Sequence, residues 1–324
     1  MKDGYGRVID YVRISVTDRC NLRCVYCMPE EGVKVLPHEA ILTYDEIERI
    51  CRAMAKLGVK KIKLTGGEPL VRKDLPELVR AIKALPGIEK VTITTNGVLL
   101  AERMDDLAAA GIDAVNISMD TTDPELFAQV TRVGRIDAVM DGLKAALSYP
   151  EIPVKINCVP VTSEKENFVN MARLAKDYPV HVRFIEIMPI GYGKQFEFHN
   201  EDSIRAVLES EFGAFTPCHE ILGNGPSHYY SVEGFRGKIG FISSISHKFC
   251  EQCNRVRLTA EGFLKTCLQY ETGNDLRAVL RNGCTDEELE EVISRTIAGK
   301  PISHNFNEEK IAPEECRSMS QIGG

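Results

Sequence analysis

No stretch of the 324 residues approaches the run of about 18 apolar residues that a membrane-crossing helix needs. The opening Met-Lys-Asp-Gly-Tyr-Gly also lacks the apolar core of a secretory signal. A soluble, cytoplasmic protein with no membrane partner is therefore expected. Positive charge is not in surplus either: 40 lysines and arginines face 47 aspartates and glutamates, a formal net charge of −7. That balance excludes nucleic-acid binding as the main business of the chain. No low-complexity linker occurs and 44% of the residues are hydrophobic, which excludes a disordered chain. The length fits one large domain or two smaller ones. The eleven cysteines are poor evidence for disulfides in a reducing compartment, and their short spacings point to metal instead.

From Tyr11 to Met188 short β-rich runs alternate with helical patterns, the rhythm of βα units on a parallel sheet. The runs are Tyr11–Val16, Lys60–Thr65, Lys90–Thr94, Asp113–Ser118, Val154–Val159 and Val180–Ile187. Between the first two, Thr43 and Glu46 form a capping box, Ile47, Ile50, Cys51, Met54 and Leu57 recur at helical spacing, and Gly58 closes the segment. A parallel strand covered on both faces reads as continuous apolar sequence, yet these runs alternate. Val12, Ile14 and Val16 interleave with Arg13, Ser15 and Thr17, and Ile62 and Leu64 with Lys61, Lys63 and Thr65. Packing the apolar face on outer helices turns the polar face into a wet interior, where basic side chains need an anion. After Pro189 glycines and aromatics rise. His228–Leu268 reads as short antiparallel strands with turns at Glu233-Gly234, Arg236-Gly237 and Glu261-Gly262. Two helices follow, Asp275–Asn282 and one opened by Thr285 and Glu288. The division expected is residues 1–190 and a smaller α+β domain, 191–324.

Cys20, Cys24 and Cys27 form CxxxCxxC just after the first run. Three thiolates so close together can each hold one iron of a cubane, leaving the fourth iron open to a small molecule. A zinc site completed by a residue such as His38 is the alternative. A second trio, Cys250, Cys253 and Cys267, has the same logic, with a zinc ribbon as the alternative. Beside it Arg255 and Arg257 lie on one face of a strand, where charge-assisted hydrogen bonds to an anion are feasible. Cys51, Cys158, Cys218, Cys284 and Cys316 show no ligand spacing.

CxxxCxxC with Tyr26 before its last cysteine, followed one strand later by Thr65-Gly66-Gly67-Glu68-Pro69, resembles the radical S-adenosylmethionine (SAM) superfamily. The resemblance implies a partial (β/α)6 TIM-type barrel, a [4Fe-4S] cluster on the first trio, and SAM on its open iron. Tyr26, Gly67, Ser118 and Met188 then fall where that superfamily contacts SAM. CxxCxRxR around the second trio is similar to the GTP 3′,8-cyclase family of molybdenum cofactor biosynthesis. The likeness runs through RISVTDRCNLRCVYCMP, KIKLTGGEPLVRKD, TTNG, NISMD, VKIN, FIEIMPIG and the final MSQIGG. It implies a second [4Fe-4S] cluster, and abstraction of the ribose H3′ of GTP by a 5′-deoxyadenosyl radical to give 3′,8-cyclo-7,8-dihydro-GTP. GTP would be bound by Arg13, Lys61, Lys63, Thr94, Lys155, Arg183, Arg255 and Arg257. Arg13, Arg255 and Arg257 would assist ring closure, and Gly323 and Gly324 would reach into the site. Lys63 stands where this family usually has arginine, which keeps the charge but not a two-pronged contact. The partners implied are GTP, a low-potential electron donor of flavodoxin or ferredoxin type, and cyclic pyranopterin monophosphate synthase as recipient of the product, with a homodimer left open. Two rival readings make different demands. A peptide-modifying radical SAM maturase predicts more cysteines in the second domain, and a non-enzymatic scaffold has no need of Gly-Gly-Glu-Pro.

Overall fold

A computed structural model describes residues 1–306, 314–315 and 317–323. In chain order the elements are β1 (Tyr11–Ser15), α1 (Tyr44–Lys56), β2 (Lys61–Thr65), α2 (Leu75–Lys83), β3 (Lys90–Thr95), α3 (Leu100–Ala109), β4 (Ala114–Ser118), α4 (Pro124–Thr131), α5 (Ile136–Leu147), β5 (Val154–Cys158), α6 (Lys165–Asp177) and β6 (His181–Ile185). They continue with α7 (Glu201–Phe212), β7 (Thr216–Cys218), β8 (His228–Ser231), β9 (Ile239–Ile242), β10 (Arg255–Leu258), β11 (Phe263–Lys265), β12 (Gly273–Asp275), α8 (Leu276–Arg281), α9 (Asp286–Ala298) and α10 (Met319–Ile322).

The six expected runs are strands β1 to β6, paired parallel in sequence order, and helices fill the connections. Alternation places the side chains. Val12 and Ile14, Ile62 and Leu64, Val91 and Ile93, and Val115 and Ile117 are 0% exposed in the core under the helices. Each such side chain contributes about 1.5–3 kcal/mol of transfer free energy relative to exposure. The capping boxes of Thr43 with Glu46 and of Thr285 with Glu288 are both formed, starting α1 and α9 at the expected residues. Gly58 sits at φ +95°, a left-handed conformation that a side chain would strain.

The strands beyond residue 190 do not make a sheet of their own. One twelve-stranded sheet runs β12-β11-β10-β1-β2-β3-β4-β5-β6-β9-β8-β7, so later segments extend both edges of the barrel. β10 pairs parallel with β1 and β9 parallel with β6, while β11 and β8 return antiparallel. The expected antiparallel hairpins are present, and the parallel joints are what attach them. No helix among the described residues is long and apolar enough to cross a membrane.

Candidate active site

The first trio lies on the loop after β1, and the glycine-rich segment after β2 is laid against it. Gly67 N donates to the Thr17 carbonyl at 2.8 Å and Glu68 N to the Arg19 carbonyl at 2.8 Å. A Cβ on Gly67 would stand 2.3 Å from the Arg19 oxygen, and one on Gly66 2.7 Å from the Thr17 oxygen. Both glycines are therefore required by close approach of the chain to itself. Glu68 is buried and accepts from Leu70 N (3.0 Å), Thr95 Oγ1 (2.7 Å) and Asn96 N (2.6 Å). Burial pushes its carboxyl up to about 7 despite these donors. From the far side, Arg132 at φ +63° donates to the carbonyls of Arg23 (2.9 Å) and Met28 (3.0 Å), clasping the loop on both flanks of Cys24 and Cys27. The Tyr26 hydroxyl donates to Asp120 Oδ2 at 2.8 Å, just past the end of β4. Ser118 is the last residue of that strand.

Burial pushes the Cys24 and Cys27 thiols up, and the charge of neighbouring thiols of the trio adds to the rise at both. Among the described residues no three His, Cys, Asp or Glu side chains converge as a single-ion site. A cubane asks for a different donor set, three thiolates that each hold one iron, and Cys20, Cys24 and Cys27, carried on one loop, have that chemistry. The second trio fits the same group. Cys250, Cys253 and Cys267 line a cavity of about 70 Å³ together with Met188, Arg255 and Arg257. Burial opposes ionisation of Cys253, but the Lys300 ammonium and the Arg255 guanidinium hold its thiol below the usual value. Lys300 is fixed there by donating to the carbonyls of Arg255, at 3.1 Å, and Thr266.

A second cavity of about 270 Å³ occupies the barrel interior. It is lined by Arg13, Lys63, Thr94, Asn116, Lys155, Asn157, His181, Arg183 and Arg255, and the segment Ile221–Pro226 closes one side. Register explains the concentration of charge: Arg257 lies directly across from Arg13, and Arg13 from Lys63, on three adjacent strands. Like charges opposite one another in a sheet repel. Burial, then Arg183, Arg13 and Lys155, push the Lys63 ammonium well below its usual value. Burial with Arg183 and Lys90 brings Lys155 to about 8, and burial with Lys155 and Arg183 brings His181 to about 4. His181 is thus neutral at pH 7, and because Nδ1 accepts from Lys238 N at 3.2 Å, its proton sits on Nε2. Arg183 donates to Asn157 Oδ1 at 2.5 Å, while its Nε has no hydrogen-bond partner among the described residues. Lys61 does not line this cavity, since its Nζ is engaged with Asp10 Oδ2 at 2.8 Å.

The C-terminal segment closes the site. Gly323 is at φ +80°, and a Cβ there would lie 3.1 Å from Ser15 Cβ and 3.4 Å from Thr65 Oγ1, between β1 and β2. Its carbonyl accepts from Arg257 at 2.6 Å. Ser320, in α10, lies near the Cys27 thiol, where its backbone N–H and hydroxyl favour the thiolate against the effect of burial. Gly324 and Cys316 lie outside the described residues. The structure thus gathers Arg13, Lys63, Thr94, Lys155, Arg183 and Arg255 around one cavity, and places Arg257 and Met188 with the second trio. Sequence reasoning missed Asp120, Arg132, Lys300, Lys265 and Glu315. Their partners are remote in sequence, so no local spacing marked them, although a lysine inside an apolar strand pattern at Lys265 was a signal of a buried partner.

Residues 14–175 match the family model of the radical SAM superfamily, and residues 180–306 that of Molybdenum Cofactor Synthesis C. Over 325 residues, all of both chains, the sequence is 44% identical to a GTP 3′,8-cyclase of Clostridium perfringens. Over 328 residues, again all of both, it is 46% identical to a GTP 3′,8-cyclase of Pelotomaculum thermopropionicum. Among solved structures it is similar in fold to Streptococcus suis SuiB bound to S-adenosylmethionine, with a TM-score of 0.64, 18% identity, and coverage of 91% of this chain and 68% of that one.

Proposed function

Because this chain belongs to the GTP 3′,8-cyclase family within the radical SAM superfamily, we propose that its cation-lined cavity takes the triphosphate of GTP and holds the ribose and guanine between the two cysteine trios. The enzyme converts GTP to 3′,8-cyclo-7,8-dihydro-GTP in molybdenum cofactor biosynthesis, using SAM and iron–sulfur clusters. The observation that carries the residue-level reading is the row Arg257, Arg13, Lys63 across adjacent strands, with Lys155 and Arg183 lining the same cavity as Arg13 and Lys63. Buried like charges in one row are costly until an anion of several charges joins them.

When bound, the clusters and SAM supply a low-potential electron and the 5′-deoxyadenosyl radical. Cys20, Cys24 and Cys27 would hold one cluster, and Cys250, Cys253 and Cys267 the other. The chain's own work is positioning. Lys63, Lys155 and Arg183 bind phosphate oxygens, with Thr94 and Asn157 as neutral partners. Arg13 and Arg255 orient the ribose, and Arg257, held by the Gly323 carbonyl, stands by the C3′–C8 closure. Gly67, Tyr26, Ser118 and Met188 serve the SAM side. Gly323 packs against Ser15 and Thr65 and helps keep water out. The electron would come from a flavodoxin- or ferredoxin-type donor in the cytoplasm, and the product would pass to cyclic pyranopterin monophosphate synthase.

Reduced holoenzyme incubated anaerobically with SAM tests the reading. Release of 5′-deoxyadenosine should rise on adding GTP, with one cyclised nucleotide formed per cleavage. SAM cleavage that GTP does not stimulate would sink the reading.

A further inference from the structure

The row of cations extends one strand further than the nucleotide reading uses. Lys265 on β11 lies directly across from Arg257, so Lys265, Arg257, Arg13 and Lys63 are aligned over four neighbouring strands. Lys265 is paired with a buried carboxylate. Its side chain and that of Glu315 are both 0% exposed, and its Nζ donates to Glu315 Oε2 and, at 2.7 Å, to the Tyr270 carbonyl. Glu315 also receives Arg317 through Nε (2.8 Å) and NH2 (3.0 Å), and its backbone N–H donates to the Gln269 carbonyl at 2.6 Å. Burial raises the cost of both charges, so an enclosed pair is a weak source of stability, and its best-attested use is to specify one register.

Register matters at this point in the chain. Just after Glu315 the chain forms the Ser318–Gln321 capping box, brings Ser320 to Cys27, and presents the Gly323 carbonyl to Arg257. A slip of one residue would put Ile322 where a Cβ has 3.1 Å to Ser15, and the β-branched side chain has no room there. We infer that Lys265 and Glu315 are positioning residues that set the register in which the C-terminal tail enters the barrel, and thereby fix Ser320 against Cys27 and Gly323 against Arg257. The inference rests on the reading of the terminal glycines as part of the active site.

Three holoenzyme variants test it: Glu315→Gln, the double variant Lys265→Met with Glu315→Leu, and a chain lacking Gly323 and Gly324. The apolar pair fills the same space without demanding one register, so both lock variants should load iron as the parent does. They should lose at least tenfold in kcat with KM for SAM within twofold. The paramagnetic spectrum of the reduced first cluster should change as Ser320 leaves Cys27, and trypsin should release the tail at Arg317. A failure of Glu315→Gln to load iron passes the decision to the apolar pair. Parental kcat, spectrum and trypsin resistance in that pair overturn the inference. So does its failure to fold, which would make the pair a stability element, or a loss of kcat with spectrum and tail protection unchanged. Full activity without the two glycines would instead overturn the reading of the tail itself.

Discussion

Lys155 carries a pH prediction. Burial, then Arg183 and Lys90, bring its ammonium from 10.5 to about 8 in the nucleotide-free protein. Between those values the unfolded chain keeps a proton the folded chain has released, so this residue makes the folded state gain stability as pH rises through that window. A bound triphosphate favours the charged form and opposes that trend. kcat/KM for GTP should therefore fall as pH climbs past about 8, while the melting temperature of nucleotide-free protein should not fall in step. A pH profile of kcat/KM with no descent from pH 7.5 to 9 would remove Lys155 from phosphate binding. Lys63 offers a second measurement. Lys63→Gln removes one buried cation from the row, so it should raise the melting temperature without nucleotide. It should also weaken GTP binding by roughly 10- to 100-fold, about 1.5–3 kcal/mol for a hydrogen bond to a charged group. Calorimetry on the same samples checks both signs. The basic residues themselves were legible, because alternation along each run told which face they share. The engagement of Lys61 with Asp10 was not, since that carboxylate lies just before β1 and nothing in the spacing pairs it with β2.

Among elements, the segment after β2 shows how a motif can be found for one reason and required for another. Gly-Gly-Glu-Pro is visible in sequence, and a close backbone approach to a ligand is the natural explanation for its glycines. In the fold the approach is to the Thr17 and Arg19 carbonyls that lead into Cys20, which are backbone atoms and cannot swing aside. Gly67→Ala should therefore displace the first cysteine loop and leave the second trio intact. Anaerobic iron analysis should drop from about eight to about four per chain, the content of one cubane, and the remaining signal should be that of the second cluster. Loss of all iron, or of none, would contradict this. The strands β1 to β6 and the capped starts of α1 and α9 were readable within two residues because each is set by local alternation or a local cap. The C-terminal lock was not, because the partners Lys265 and Glu315 come together only through tertiary packing.

For the whole molecule, the sheet order makes the two trios parts of one frame. β10 carries Arg255 and Arg257 and is hydrogen-bonded to β1, whose following loop carries Cys20, Cys24 and Cys27. Cys253→Ala should spare the first cluster, whose loop is braced by Gly67, Arg132 and Tyr26, and abolish GTP binding. Equilibrium binding of GTP beside an iron count near four per chain measures both, and retained GTP affinity would separate the second trio from the substrate. The rhythm of alternating strands and helices revealed the barrel, but the placement of β9 and β10 at opposite edges could not be read, since strand pairing over such separations leaves no local pattern.

That parallel seam also has a bearing on synthesis. β1 is among the first segments to leave the ribosome, yet one of its two flanking strands, β10, is made only after residue 254 has been added. Until then the nascent barrel exposes a raw β edge with its N–H and C=O groups unclaimed, a surface on which other chains can dock. That edge is covered only once β10 has been made, and iron delivered earlier would meet a first cysteine loop beside a half-built wall.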